Sequence, residues 1–498
     1  MKSVKLGAAL SYLTIFLNII FGLLVTPLML RTMGDSEYGS YQLVGALVGY
    51  ISVLDFGLGN AVIRYVAKFR AENNFKKEEN FLAMCLCIYA VISTCIIIIG
   101  TIVYFALPTA FPKANTSELE LMGKMLLVLV VNLALSMPFS MFPGIITGRE
   151  HFTFAKTIAF LRVIVRIIAI VGVLSLGGRA FAVVVADTVC NIVFAVVSAI
   201  YAILVLKTKI RLSFFDVPFL KEIFAYSFFV FLAMIIDQLY WKIGQFVIGV
   251  VKGTEAVTPF ATAMQLVTIF LQLSTAISAL FLPRVTQMVL RKASSKEMTD
   301  FLIKTGRVQF MMLGVIVVGF ITLGNQFVSL WVGSAYSEVY YITLIIIIPL
   351  TVPLIQSVGI SVLQAMNKHA FRSIVYLIVT ILNVALTFFL VDIWGVIGVA
   401  VGTSACLIIC NIIIINIYYH KVIKINVPRF FMGVFKGILP VIAITCLVCA
   451  PFMLINKNSY LIFACEGAAL CAIYAAGIWF FGANKWEKSL FDVRKFLR

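Results

Sequence analysis

The chain has 498 residues, of which 62% are hydrophobic and 12% charged, with a mean hydropathy of +1.09. A soluble domain carries about 25% charged residues, so composition excludes that class and requires a polytopic membrane protein. The net charge of +18, from 39 Lys and Arg against 21 Asp and Glu, is the excess that cytoplasmic loops of membrane proteins collect, so no nucleic-acid partner is expected.

Apolar runs of about 20 residues, the length that crosses a bilayer, predict an all-α protein with fourteen spans. In chain order they cover about 9–30, 40–63, 82–106, 123–146, 158–176, 181–205, 223–247, 257–282, 308–330, 340–363, 374–391, 396–418, 437–455 and 460–481. The first follows a basic start, exceeds a signal-peptide core and has no A-x-A cleavage site, so it reads as a retained span. Taken alternately, the loops on the side of the two termini hold 30 of the 39 Lys and Arg, and the opposite loops hold six. That bias makes both termini cytoplasmic. No loop is long enough for a separate domain; the longest, 283–307, is basic. Most of the ten cysteines lie in apolar runs, and "CLVC" at 446–449 lacks the flanking ligands of a metal or redox site.

The sequence repeats. A shift of about 219 sets "LRTMGDSEYGSY" (30–41) on "GVVKGTEAVTPF" (249–260), pairing Gly34 with Gly253, Tyr41 with Phe260 and, further back, Asn18 with Asp237. A shift of 218 sets "TGREHFTF" (147–154) on "AMNKHAFR" (365–372), His151 against His369. Two six-helix lobes, 1–212 and 213–430, are therefore expected, followed by two further spans and a tail at 431–498. Six is an even number, so the repeat is parallel, with a site expected between the halves.

Each charge at mid-bilayer costs about 2.5–3.5 kcal/mol on insertion scales, so intramembrane charges are candidate functional residues. They are Asp55 and Arg64 on span 2, Arg162 and Arg166 on span 5, Asp187 on span 6, Asp237 and Lys242 on span 7, and Glu466 on span 14. Arg162 and Arg166 share one helix face and call for an anion or a wet cavity; snorkelling to the interface is the alternative, weaker for the deeper Arg166. Asp237 and Lys242 are offset by about 140°, an awkward geometry for a direct pair. Trp241 and Tyr240 beside them offer flat faces for a sugar ring, or serve as interface-belt aromatics. Asp187 and Glu466 either bind a coupling cation or pair with a neighbouring group, and Asp55 is open to the same two roles. In "VLDFGLGNAVIRYV" (53–66), Gly57 and Gly59 predict a bend in span 2, and upstream Gly45 and Gly49 form a G-x-x-x-G face for close helix contact. There is no Walker A run, no G-x-S-x-G elbow and no His/Cys/Asp cluster with metal spacing, so no catalytic residue, metal or resident cofactor is expected.

"LMLRTMGDSEYGSYQLV" followed by "DFGLGNAVIRYVAKF" resembles the N-terminal signature of polysaccharide-biosynthesis flippases, the Wzx-type members of the multidrug/oligosaccharidyl-lipid/polysaccharide (MOP) superfamily. The resemblance continues through "GIITGREHFTFAKT" and "VLQAMNKHAF". It implies a MATE-like fold of two six-helix lobes in a V. It also implies movement of an undecaprenyl-diphosphate-linked oligosaccharide from the cytoplasmic to the outer leaflet of the plasma (inner) membrane, for O-antigen, capsule or exopolysaccharide. Membrane lipid, a polysaccharide polymerase and glycosyltransferases are the implied partners, with H⁺ or Na⁺ as coupling ion. Arg64, Arg162, Arg166, Lys242 and Trp241 supply the cationic, aromatic-bearing surface such a cargo needs. Relatives often carry an acid in span 7 beyond Asp237, where this chain has Lys242 and Gln245. A cation antiporter of the same superfamily, a lipid II or teichoic-type flippase, and a non-transporting assembly scaffold are the alternatives.

Overall fold

A computed structural model describes residues 2–278, 281–291, 293–366, 370–454 and 459–490. Every regular element among them is helical. Eleven helices are long and apolar enough to cross a membrane, or twelve if the bent pair Val427–Phe435 and Ile438–Met453 is one span. Two candidates, Ala9–Ala71 and Phe371–Lys421, have 63 and 51 residues. At 1.5 Å per residue both far exceed a ~30 Å hydrocarbon core. Each is interrupted by a glycine outside helical space, Gly34 (φ 74°, ψ 177°) and Gly395 (φ 59°, ψ −140°). The shortfall against fourteen expected spans falls at these turns.

By contacts the chain divides into two compact units, Met1–Thr258 and Pro259–Arg498. The first contains α1 (Lys2–Ser52), α2 (Leu58–Ala71), α3 (Phe75–Ala110), α4 (Thr116–Phe139), α5 (Met141–Gly148), α6 (Phe152–Ser175), α7 (Ala180–Ile200) and α8 (Val217–Lys252). Here α1 packs on α6 and α8, and α4 on α3 and α7. Caps set several starts: Asn74 on α3, Asn115 with Glu118 in a capping box on α4, and Asp216 on α8, each contributing about 1 kcal/mol.

The second unit is built around α11 (Ser295–Trp331). It follows α9 (Thr254–Ser278) and α10 (Leu282–Leu290), and precedes α12 (Ser337–Ile355), α13 (Ser357–Ala365), α14 (Ala370–Leu407), α15 (Ile415–Lys421), α16 (Val427–Phe435), α17 (Ile438–Cys449), α18 (Tyr460–Gly477) and α19 (Lys485–Leu490). Helices α12, α16, α17 and α18 all pack on α11. The basic segment 283–307, expected as a loop, is largely helical, because Ser294 caps an α11 that begins well before the apolar run.

The expected repeat is visible in the backbone. Gly253 (φ 95°, ψ 175°) has nearly the conformation of Gly34, one that side chains with a Cβ avoid. Span 4 divides between α4 and α5 at Ser140, and the same shift carries that position, within about three residues, onto the α12/α13 boundary at Gln356. The other pairing cannot be followed, since His369 lies outside the described residues; His151 sits at the turn before α6 with Nδ1 2.9 Å from the Tyr201 hydroxyl.

Candidate functional site

Span 2 carries the expected bend, in a sharper form than the sequence suggests. Val53–Asp55 forms a single 3₁₀ turn, then Phe56 (φ 52°) and Gly57 (φ 67°) both enter left-handed space before α2 begins. Only glycine adopts that geometry without strain, which fits the bend falling at Gly57. Gly59, expected to share that role, is helical, and a Cβ there would meet nothing within 4 Å. Phe56 stacks on Phe231 of α8 at 4.2 Å between ring centroids. The Asp55 carboxylate lies at the start of α2, stabilised by the Gly57 N–H and beside the Tyr89 hydroxyl, while its Oδ1 accepts no hydrogen bond. Exposed backbone N–H groups and the helix dipole favour an anion at that end.

Of the two glycines of the G-x-x-x-G pair, one lies close to a neighbouring helix. A Cβ on Gly49 would sit 3.3 Å from the Gln238 side chain of α8, whereas one on Gly45 would meet nothing within 4 Å. Gly45 is therefore no close-packing residue; the tight approach in this region belongs to Gly39, whose Cβ would lie 2.0 Å from the Thr254 carbonyl oxygen. Around that contact the Thr258 hydroxyl donates to the Asp35 carbonyl (2.7 Å), and Glu118 accepts from Thr254 (2.7 Å) and from Ser36. The turns at Gly34 and Gly253 are thus tied through one carboxylate.

The charges on spans 5 and 6 form a group. Arg166 Nε donates to Asp187 Oδ1 at 2.6 Å and Nη2 to Oδ2 at 3.2 Å, and the guanidinium stands 5.1 Å from the Phe21 ring. The anion facing Arg166 is therefore a protein carboxylate. One turn along α7, Asn191 donates to Asn132 Oδ1 (2.9 Å) and Ser136 Oγ (3.0 Å). Arg162, one turn from Arg166, is exposed and forms no salt bridge among the described residues. It lines a cavity of about 380 Å³ with Ser136, Ser140, Asn191 and Ser198 on the polar side and Phe139 and Phe154 among its apolar walls. This cavity combines a cation, hydroxyl and amide groups, and aromatic rings.

The remaining candidates do not join it. Arg64 is exposed on α2, 5.6 Å from the Tyr65 ring. Lys242 is half-buried on α8, Trp241 packs edge-on to Tyr240, and Asp237 is exposed; Asp237 and Lys242 form no ion pair with each other. Glu466 is buried on α18, with 7% of its surface exposed and neither oxygen hydrogen-bonded.

Sequence reasoning missed two buried ion pairs at the ends of spans. Glu78 accepts from Arg149 (2.6 Å) and forms an ion pair with Arg70 (2.6 Å), while Arg149 also donates to the Leu206 carbonyl. Arg307 of α11 pairs with Glu487 of α19 (2.6 Å) and donates to the carbonyls of Gly433, Lys436 and Gly482. Arg149 lies in the quoted "GIITGREHFTFAKT", but nothing local marks Glu78 or Glu487 as partners.

The fold is shared with solved lipid-flippase and multidrug-transporter structures. It resembles the lipid II flippase MurJ in an inward closed conformation with a TM-score of 0.74, covering 98% of this chain and 100% of that one at 17% identity. It also resembles an inward-facing multidrug resistance MATE family transporter, with a TM-score of 0.67 over 89% and 96% of the two chains at 15% identity. The profile of the family described as "Polysaccharide biosynthesis protein" matches residues 5–289, and the chain belongs to that family. A Shigella flexneri protein described as "Putative O-antigen transporter" is 21% identical over 385 residues, which are 75% of this chain and 88% of that protein. The family expected from the N-terminal signature is therefore the one found.

Proposed function

We propose that the protein is a flippase that carries a polyprenyl-diphosphate-linked oligosaccharide from the cytoplasmic to the outer leaflet of the plasma membrane by alternating access, for surface polysaccharide synthesis. The observation that carries this reading is the cavity at Arg162. A cation with no salt bridge among the described residues, flanked by hydroxyls, an amide and aromatic rings, suits a diphosphate and its sugars. Arg166–Asp187 fixes the adjoining wall, and Lys242, Arg64 and Trp241 are assigned to the path rather than to this pocket. A cationic pocket disfavours the cation-antiporter alternative, since like charge repels the cargo. The likeness to a lipid II flippase supports the fold and leaves the glycan open.

The chain crosses the membrane fourteen times in this reading, with lobes 1–212 and 213–430, the pair of spans at 431–498, and both termini cytoplasmic. Transport proceeds without covalent chemistry. Asp55, at a left-handed break and with an oxygen free of hydrogen bonds, is assigned the coupling H⁺ or Na⁺. Glycosyltransferases supply the cargo and a polymerase consumes it.

The test is Arg162→Gln in a strain lacking the native gene. Loss of surface polysaccharide at normal protein level, with recovery in Arg162→Lys, is expected. Wild-type polysaccharide from Arg162→Gln would refute the cavity as the cargo site.

A further inference from the structure

We propose that the α10–α11 corner of the second unit is a binding site for the phosphate headgroup of an anionic phospholipid, separate from the cargo cavity. A pocket there of about 430 Å³ is lined by Arg284, Arg291, Lys296 and Lys304 against Glu297 and Asp300. Both acids are already committed: Glu297 pairs with Arg291, and Asp300 with Arg429 at 2.7 Å. Arg284, Lys296 and Lys304 thus face the pocket with no carboxylate partner among the described residues. Two of them rest on aromatic faces instead, Arg284 at 5.4 Å from the Phe301 ring and Lys304 at 5.7 Å from that of Trp486. Cation–π contacts leave the outward N–H donors free for a phosphate oxygen. Ser294, the N-cap of α11, opens on the same pocket and adds the field of the helix N-terminus.

Position and walls select a lipid over a soluble anion. Arg307, three residues beyond Lys304, donates to the Gly482 carbonyl, which sets this level of α11 at the end of the candidate span Tyr460–Gly482. Trp479, Phe480 and Phe481 at that end are exposed, as aromatic residues are where a span meets the headgroup layer. Phe281, Met288 and Phe301 give the pocket an apolar floor for glycerol and first acyl carbons. Free phosphate has no use for that floor. The site draws on the orientation proposed above, which places it in the cytoplasmic leaflet, but its binding is measured without transport.

The test is thermal unfolding of the purified full chain in neutral detergent, titrated with short-chain phosphatidylglycerol, short-chain phosphatidylcholine or inorganic phosphate. Phosphatidylglycerol is expected to raise the midpoint saturably and the other two to leave it near its starting value. Arg284→Gln with Lys304→Gln should weaken the phosphatidylglycerol effect about tenfold, as expected for lost charge-assisted bonds, with the lipid-free midpoint unchanged. Lys296→Glu, on an exposed side chain, should weaken it too and serves as a second variant. Equal response to phosphatidylcholine, equal protection by inorganic phosphate, or undiminished phosphatidylglycerol affinity in both variants would overturn the proposal.

Discussion

Two Arg–carboxylate pairs of equal length behave as different structural objects. Arg166–Asp187 in the first unit and Arg307–Glu487 in the second both close at 2.6 Å, but their side chains are 34% and 30% exposed in one and 8% and 1% in the other. The second is sealed by three carbonyls and holds the chain after α18 against α11. The first lies one helical turn from Arg162, which lines the cavity of about 380 Å³, and both its side chains stay about one-third exposed. An exposed pair contributes about 0–1 kcal/mol, while removing one partner of a buried pair costs about 3–5 kcal/mol. Exposure, more than distance, separates a pair that can exchange partners with a cargo from one that holds helices together.

The largest expected effect breaks the sealed pair. Glu487→Gln should cost about 3–5 kcal/mol by leaving Arg307 buried and uncompensated, seen as a fall in the thermal midpoint and in membrane protein level. A midpoint equal to wild type would mean that the pair is solvated. A smaller effect is expected at the bend: Gly57→Ala forces a Cβ into left-handed space at about 1–2 kcal/mol and should slow transport. Gly59→Ala, two residues on and helical, should be neutral or stabilising by about 0.5–1 kcal/mol. Equal effects at both positions would remove Gly57's special status. The smallest stability change is expected for Asp187→Asn, about 1 kcal/mol or less, together with altered polysaccharide output because Arg166 is released toward the cavity. Unchanged output from that variant would assign Arg166–Asp187 to scaffolding alone.

How much of this was legible in advance depends on the range of the interaction. Hydropathy runs marked the spans because bilayer thickness acts on each segment separately, and the paired glycines at 34 and 253 marked equivalent turns because backbone strain is local. The break at Gly57 was legible for the same reason. Its neighbour Phe56 was not, since nothing in a phenylalanine announces left-handed geometry; packing on Phe231 accompanies it.

From the residues alone, then, came a membrane protein of many spans with an internal repeat, a bend in span 2 and the signature of its family. Tertiary structure alone decided that Arg166 answers Asp187, that Arg149 answers Glu78, that Gly49 packs and Gly45 does not, and that Arg162 faces a cavity. Those outcomes depend on the rotational phase and vertical register of one helix against another. A single helix's pattern leaves both open, because every polar residue on a span needs a partner and many positions could provide one.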